Sequence, residues 1–144
     1  MSKLCVHDIM TREVFTLREA DTLKTARSMM SLARIRHIPI VNDHMEFQGL
    51  LTHRDILGAT ISRFADIDRE TQDEIDSGIP IAEIMRTDVT EVSPDLPLRA
   101  AAELLLAHKY GCLPVLEDGI LVGILTEADF LKLTIRLMDA LDGL

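Results

Sequence analysis

Apolar residues recur three or four apart at Leu23, Ala26, Met30 and Ala33, and again at Leu98, Ala101 and Leu105. That spacing puts each set on one face of a helix. Asp21-Thr22 opens the first helix and Ser93-Pro94-Asp95-Leu96-Pro97 the second, with Pro97 tolerable in the first turn. Each helix gives way to a short aliphatic run, "HIPIV" or "CLPVL", then a turn, then a second run, "EFQGLL" or "ILVGIL". These read as hairpin strands. Asp118-Gly119 predicts a two-residue turn, because glycine accepts the positive φ it needs, whereas Asn42-Asp43-His44 predicts a longer one. A closing helix over Glu127 to Leu141 would carry Phe130, Leu133, Leu137, Met138 and Leu141 on one side, a stripe suited to the core or to a partner helix.

The pattern occurs twice. Met10 aligns with Met85, Val14 with Val89, Leu23 with Leu98, Ala26 with Ala101 and Pro39 with Pro114, and after a one-residue shift at the turn Gly49 aligns with Gly123. The chain is read as a duplicated unit of about 50 residues, the kind of self-similarity that organises a fold. Residues 4–64 form the first repeat, 65–80 an acidic connector with few apolar residues, expected on the surface, and 81–141 the second repeat. The fold class is α+β: two pseudo-symmetric repeats, each a small sheet flanked by helices.

At the passage from second strand to helix the chain reads "GLLTHRDIL" (49–57) and "GILTEADFL" (123–131). Thr-x-x-Asp at a helix start fits a capping box, in which the hydroxyl accepts from the N–H three residues on and the carboxylate reaches back. That requires nothing bound. The same geometry also suits a nucleotide: free N–H groups and the helix dipole attract a phosphate, the hydroxyl adds a donor, and an ionised Asp accepts both protons of a ribose diol. Both readings stand at this point, and two copies in matched places strengthen the second.

Charge and composition narrow the partners. The net charge of −9 argues against nucleic acid or an anionic membrane, both of which are bound through clustered Lys and Arg. No run is long enough to span a bilayer, the opening "MSKLCVHDIM" lacks a signal peptide's apolar stretch, and Cys5 and Cys112 lack a C-x-x-C spacing. A reducing, cytoplasmic setting is expected. No G-x-S-x-G, P-loop or G-x-G-x-x-G occurs, and the five histidines show no ligand spacing, so neither catalytic residues nor a metal site are expected. The acid is unevenly spread. Seven Lys/Arg balance seven Asp/Glu between His7 and Leu57, whereas three face nine between Ile81 and Leu131.

The ordered motifs D-I-M-T-x-x-V (Asp8 to Val14), T-L-x-x-A (Thr22 to Ala26), H-I-P-I-V (His37 to Val41) and G-L-L-T-x-x-D-I-L (Gly49 to Leu57), matched by E-I-M, P-L-x-x-A, C-L-P-V-L and G-I-L-T-x-x-D-F-L, resemble the cystathionine beta-synthase (CBS) domain. The resemblance spans about residues 4 to 140 and is to a stand-alone tandem pair, a Bateman module. It implies a regulatory module without catalysis that binds adenosine-containing nucleotides (AMP, ADP or ATP) in a cleft between repeats. Thr52 and Asp55 would serve one site and Thr126 and Asp129 the other, Thr on phosphate and Asp on ribose. Ile38-Pro39 and Leu113-Pro114 would border the adenine, and Arg36-His37 would add phosphate contacts that Gly111-Cys112 lacks. Arg34, Arg36, His37, His53 and Arg54 around the first motif, against Lys109 in the second repeat, predict unequal sites, with the Asp55 site tighter for a charged ligand. The resemblance further implies a homodimer and an unidentified protein target. The alternatives are a structural dimer with empty sites, or a sensor of S-adenosylmethionine or NADH.

Overall fold

The computed structural model describes residues 3–60, 69–108 and 111–143. Lys109 and the end of the first repeat, residues 61–64, lie outside them. The elements run α1 (Val6–Ile9), α2 (Leu23–Ala33), β1 (His37–Val41), β2 (Phe47–Thr52), α3 (His53–Thr60), α4 (Arg69–Ser77), a 3-10 turn (Ile81–Glu83), α5 (Leu98–Ala107), β3 (Cys112–Glu117), β4 (Ile120–Thr126) and α6 (Glu127–Asp142). The chain is thus mixed α and β, with two antiparallel hairpins flanked by helices. It divides into two compact units, Phe15–Val89 and a second made of Met1–Val14 with Thr90–Leu144.

In the Phe15–Val89 unit, the Thr22 hydroxyl accepts from Thr25 N–H and starts α2, whose buried face is Leu23, Ala26 and Met30, the residues set by the periodicity. That face packs on Ile38, Ile40, Leu51, Ile56 and Ile81. Truncating any of these to Ala in a packed core costs about 2–5 kcal/mol. β1 pairs with β2 from His37↔Thr52 to Ile40↔Gly49, after which a bulge shifts the register. Asn42 makes the loose turn, its Oδ1 accepting from His44 and Glu46 N–H. Short bridges extend the sheet on both sides, Leu17 beside Ile40 and Arg86 beside Leu50.

The connector is more firmly held than its composition implies. Asp76, on α4, is fully buried, its carboxylate bonded by Arg27 Nε of α2 at 2.7 Å and by Gln72 Nε2 at 2.8 Å. Glu70 and Glu74 are exposed, so the expectation of a surface segment fits these two and fails at Asp76.

The other unit repeats this plan. α5 buries Leu98, Ala101 and Leu105 against Leu113, Val115 and Leu125. The β3–β4 turn has Asp118 at φ 54° and Gly119 at φ 81°, the two positive angles of a tight hairpin turn. Val92 bridges Val115 and Thr11 bridges Ile124. Along α6, Phe130 and Leu133 pack on the core, while Leu137, Met138 and Leu141 are exposed together with Leu131 and Ile135. The stripe is therefore covered by the core over its first turn and exposed beyond it.

The units do not coincide with the sequence repeats. Residues 3–14, which open the first repeat, are built into the body of the second: Val6 N–H reaches Leu96 O at 3.0 Å and Thr11 exchanges two bonds with Ile124. Reciprocally, residues 81–89 open the second repeat and complete the body of the first, Arg86 exchanging two bonds with Leu50.

Candidate functional site

Each hairpin delivers its last residue, Thr52 or Thr126, straight into a helix. No loop intervenes, so the Thr side chain and the Asp one turn on are fixed by strand pairing and helix geometry alone. Thr52 N–H and Oγ1 donate to Asp55 Oδ2 at 3.0 and 2.8 Å, and Asp55 N–H donates to Thr52 Oγ1 at 3.1 Å. Thr126 N–H and Oγ1 likewise donate to Asp129 Oδ2 at 2.9 and 3.3 Å. Both capping boxes are formed. Asp129 is buried, and the Asp55 side chain is 10% exposed.

The other carboxylate oxygen is also held. Arg86 Nε donates to Asp55 Oδ1 at 2.9 Å, and Thr11 Oγ1 donates to Asp129 Oδ1 at 2.9 Å. A carboxylate has about four lone-pair positions, so three are used and one remains on each Oδ1. Neither Arg86 nor Thr11 figured among the residues picked out from sequence. The repeat alignment carried the signal, since both follow the aligned methionines Met10 and Met85.

At the α3 mouth, His53 N–H donates to Arg36 O at 2.8 Å, joining the start of β1 to the start of α3. The equivalent bond at α6 is Glu127 N–H to Gly111 O, at 3.4 Å. Beside the α3 mouth lies a pocket of about 410 Å³ lined by Arg27, Met30, Ser31, Arg34, Ile35, Arg36, His53 and Ile56. Three arginines and a histidine therefore border one hollow of this unit. Arg34 closes α2 at φ 56°, a left-handed position that glycine usually fills.

The remaining candidates are placed as follows. His37 is half-buried and opposite Thr52 in the strand register. Ile38 and Leu113 point into the two cores. Pro39 and Pro114 are buried at the next strand positions, on the opposite face. Among the described residues, donor atoms of Cys5, His7 and Asp8 lie within 4.8 Å of one another, but Asp8 Oδ2 already accepts Cys5 N–H at 2.8 Å as the cap of α1. No metal chemistry is assigned to them.

Cys112 begins β3 and is fully buried; burial, and next the charge of Asp129, push its thiol above the ordinary range. The folded protein keeps this proton where the unfolded chain loses it from about pH 8.5. Stability is therefore complete below that pH and lost as pH rises, at up to about 1.4 kcal/mol per unit. Urea unfolding between about pH 8.5 and 10 should show a steeper loss for wild type than for Cys112→Ala; parallel slopes would contradict it.

The comparisons with known proteins agree with this architecture. The sequence profile of the CBS domain matches residues 6–62 and 81–136. The CBS domain-containing protein YhcV of Bacillus subtilis is 31% identical over 124 residues, covering 86% of this chain and 81% of that protein. Larger relatives, such as a homoserine O-acetyltransferase of Methanohalophilus mahii (32% identical), are matched over 88% of this chain but 24% of their own length. Among solved structures, a putative acetoin utilization protein (AcuB) from Vibrio cholerae is 34% identical with a TM-score of 0.82, covering 99% and 98% of the two chains. The CBS domain pair of MJ0100, solved with 5′-methylthioadenosine and S-adenosyl-L-methionine, is 26% identical with a TM-score of 0.74 over 91% and 99%. CBSX2 of Arabidopsis thaliana in complex with AMP shares the fold at 23% identity and a TM-score of 0.77, over 93% and 98%. The chain belongs to the CBS domain family, with two copies of the domain in tandem.

Proposed function

We propose that this chain is a regulatory module that binds adenosine-containing nucleotides, AMP, ADP or ATP, at the mouths of α3 and α6, with no catalysis of its own. One observation carries the reading: the same Thr and Asp stand at both strand-to-helix junctions, each Asp with one lone pair left. Arg34 and Arg36 beside the α3 mouth supply charge for a phosphate, with His53 as a further polar group. Pro39 and Pro114 offer an apolar border for the base. The MJ0100 and CBSX2 complexes support an adenosyl ligand as a class.

The closed capping boxes favour a second reading, a scaffold whose sites stay empty. A thermal-shift screen with AMP, ADP, ATP, S-adenosylmethionine and NADH separates the two. A ligand at 100 times its dissociation constant adds about 2.7 kcal/mol, so AMP or ATP should raise the melting temperature by several degrees. No shift with any of the five supports the scaffold. Calorimetry on Asp55→Ala and Asp129→Ala then tests inequality: the Asp55 change should cost more AMP affinity, and equal losses would reject it.

The bare side of α6 supports a homodimer. Leu131, Ile135 and Met138 are 64, 58 and 56% exposed and recur at helical spacing, a stripe with no cover among the described residues. Light scattering at micromolar concentration should give twice the 16.1 kDa chain mass, and Ile135→Glu should give monomer; a wild-type monomer would refute the pairing. No helix among the described residues is long and apolar enough to cross a membrane. We place the module in the cytoplasm, signalling its occupancy to a protein target and touching neither nucleic acid nor lipid.

A further inference from the structure

Asp55 and Asp129 receive identical bonds on Oδ2 and different ones on Oδ1. Arg86 and Thr11 occupy equivalent frames: each follows a methionine packed on a strand glycine, Met85 on Gly49 and Met10 on Gly123, and each pairs its backbone with the strand, Arg86 with Leu50 and Thr11 with Ile124. Only the side chain differs. The first helical residues differ in the same direction, His53-Arg54 against Glu127-Ala128.

A cis-diol brings two hydroxyl protons, and each Asp has one lone pair left for them. At Asp129 the second proton has an acceptor close by, because the Thr11 hydroxyl can accept while still donating to Oδ1. At Asp55 the side chain in that place is Arg86. A guanidinium only donates, and its charge compensates the carboxylate, so a diol that gives both protons to Asp55 displaces Arg86 from Oδ1. The displaced guanidinium is exposed and exchanges its ion pair for water. A phosphorylated ligand offers it a new anionic partner; an uncharged nucleoside does not.

Building on the adenosyl reading above, we propose that Arg86 and Thr11 bias the two mouths by ligand charge, the α3 mouth preferring phosphorylated adenosyl compounds more strongly than the α6 mouth, which accepts uncharged or cationic ones as readily. AMP and adenosine are the probes, titrated by calorimetry into the full chain, with each mouth identified by its loss in Asp55→Ala or Asp129→Ala. Arg86→Thr should lower the preference of the α3 mouth for AMP over adenosine by about tenfold or more. Thr11→Arg should shift the α6 mouth the opposite way, and is decisive where Arg86→Thr does not melt cooperatively. An unchanged preference, with both compounds still bound, overturns the bias and leaves the adenosyl reading intact. Binding of neither compound to wild type overturns both.

Discussion

Arg27→Met is expected to lower stability by about 3 kcal/mol or more at neutral pH, the usual loss when one partner of a buried ion pair is removed. The Asp76 carboxylate is fully buried and holds Arg27 Nε at 2.7 Å, a second guanidinium nitrogen at 3.5 Å and Gln72 Nε2 at 2.8 Å. Without the guanidinium one amide must satisfy a buried charge. Arg27→Met with Asp76→Leu should regain most of the loss, because no charge is then buried. Urea unfolding at pH 7 decides: a loss below about 1 kcal/mol for the single variant would place this pair with weak surface bridges. The pair also fixes α4 on α2, so its loss should expose the connector to proteolysis.

The second large effect is expected at the strand glycines. A Cβ on Gly49 would sit 2.7 Å from Arg86 O and 2.9 Å from Met85 Sδ; on Gly123 it would sit 2.8 Å from Met10 Sδ and 2.9 Å from Thr11 O. A thioether can swing away. A carbonyl locked in a two-bond bridge cannot, since Arg86 O accepts Leu50 N–H at 2.9 Å and Thr11 O accepts Ile124 N–H at 2.9 Å. Gly49→Ala and Gly123→Ala should each cost about 2–3 kcal/mol, at the upper end for overpacking. Gly58→Ala is the control. It lies within α3 with open space around its Cβ and should be stabilising by about 0.5–1 kcal/mol. Equal effects at all three glycines would contradict the close-approach account.

Local structure was legible from the residues because it is encoded locally. The face of α2, the Asp118-Gly119 turn and the Thr-x-x-Asp caps each rest on neighbours a few positions apart, and each formed as read. The exchange of leading segments was not legible, since periodicity says that Met10 and Met85 are equivalent but not which hairpin each one meets. The glycine that begins each G-h-h-T phrase has its reason there, as the landing point of the exchanged segment. Asp76 was hidden for a similar reason: its partner Arg27 is 49 positions away, and composition describes the connector only on average. At the candidate site, the hydroxyl and carboxylate were named from sequence, while the Arg86 and Thr11 bonds needed coordinates.

The central claim is that the carboxylate at each helix mouth holds the ribose diol of an adenosyl ligand. Calorimetric titration of wild-type protein with AMP and with its 2′,3′-dideoxy counterpart leaves every capping bond untouched and alters only the diol. The account predicts that AMP binds and that the dideoxy compound binds about 10- to 100-fold more weakly, the loss expected for hydrogen bonds to a charged group. Equal affinities for the two compounds, or heat from neither, would contradict it.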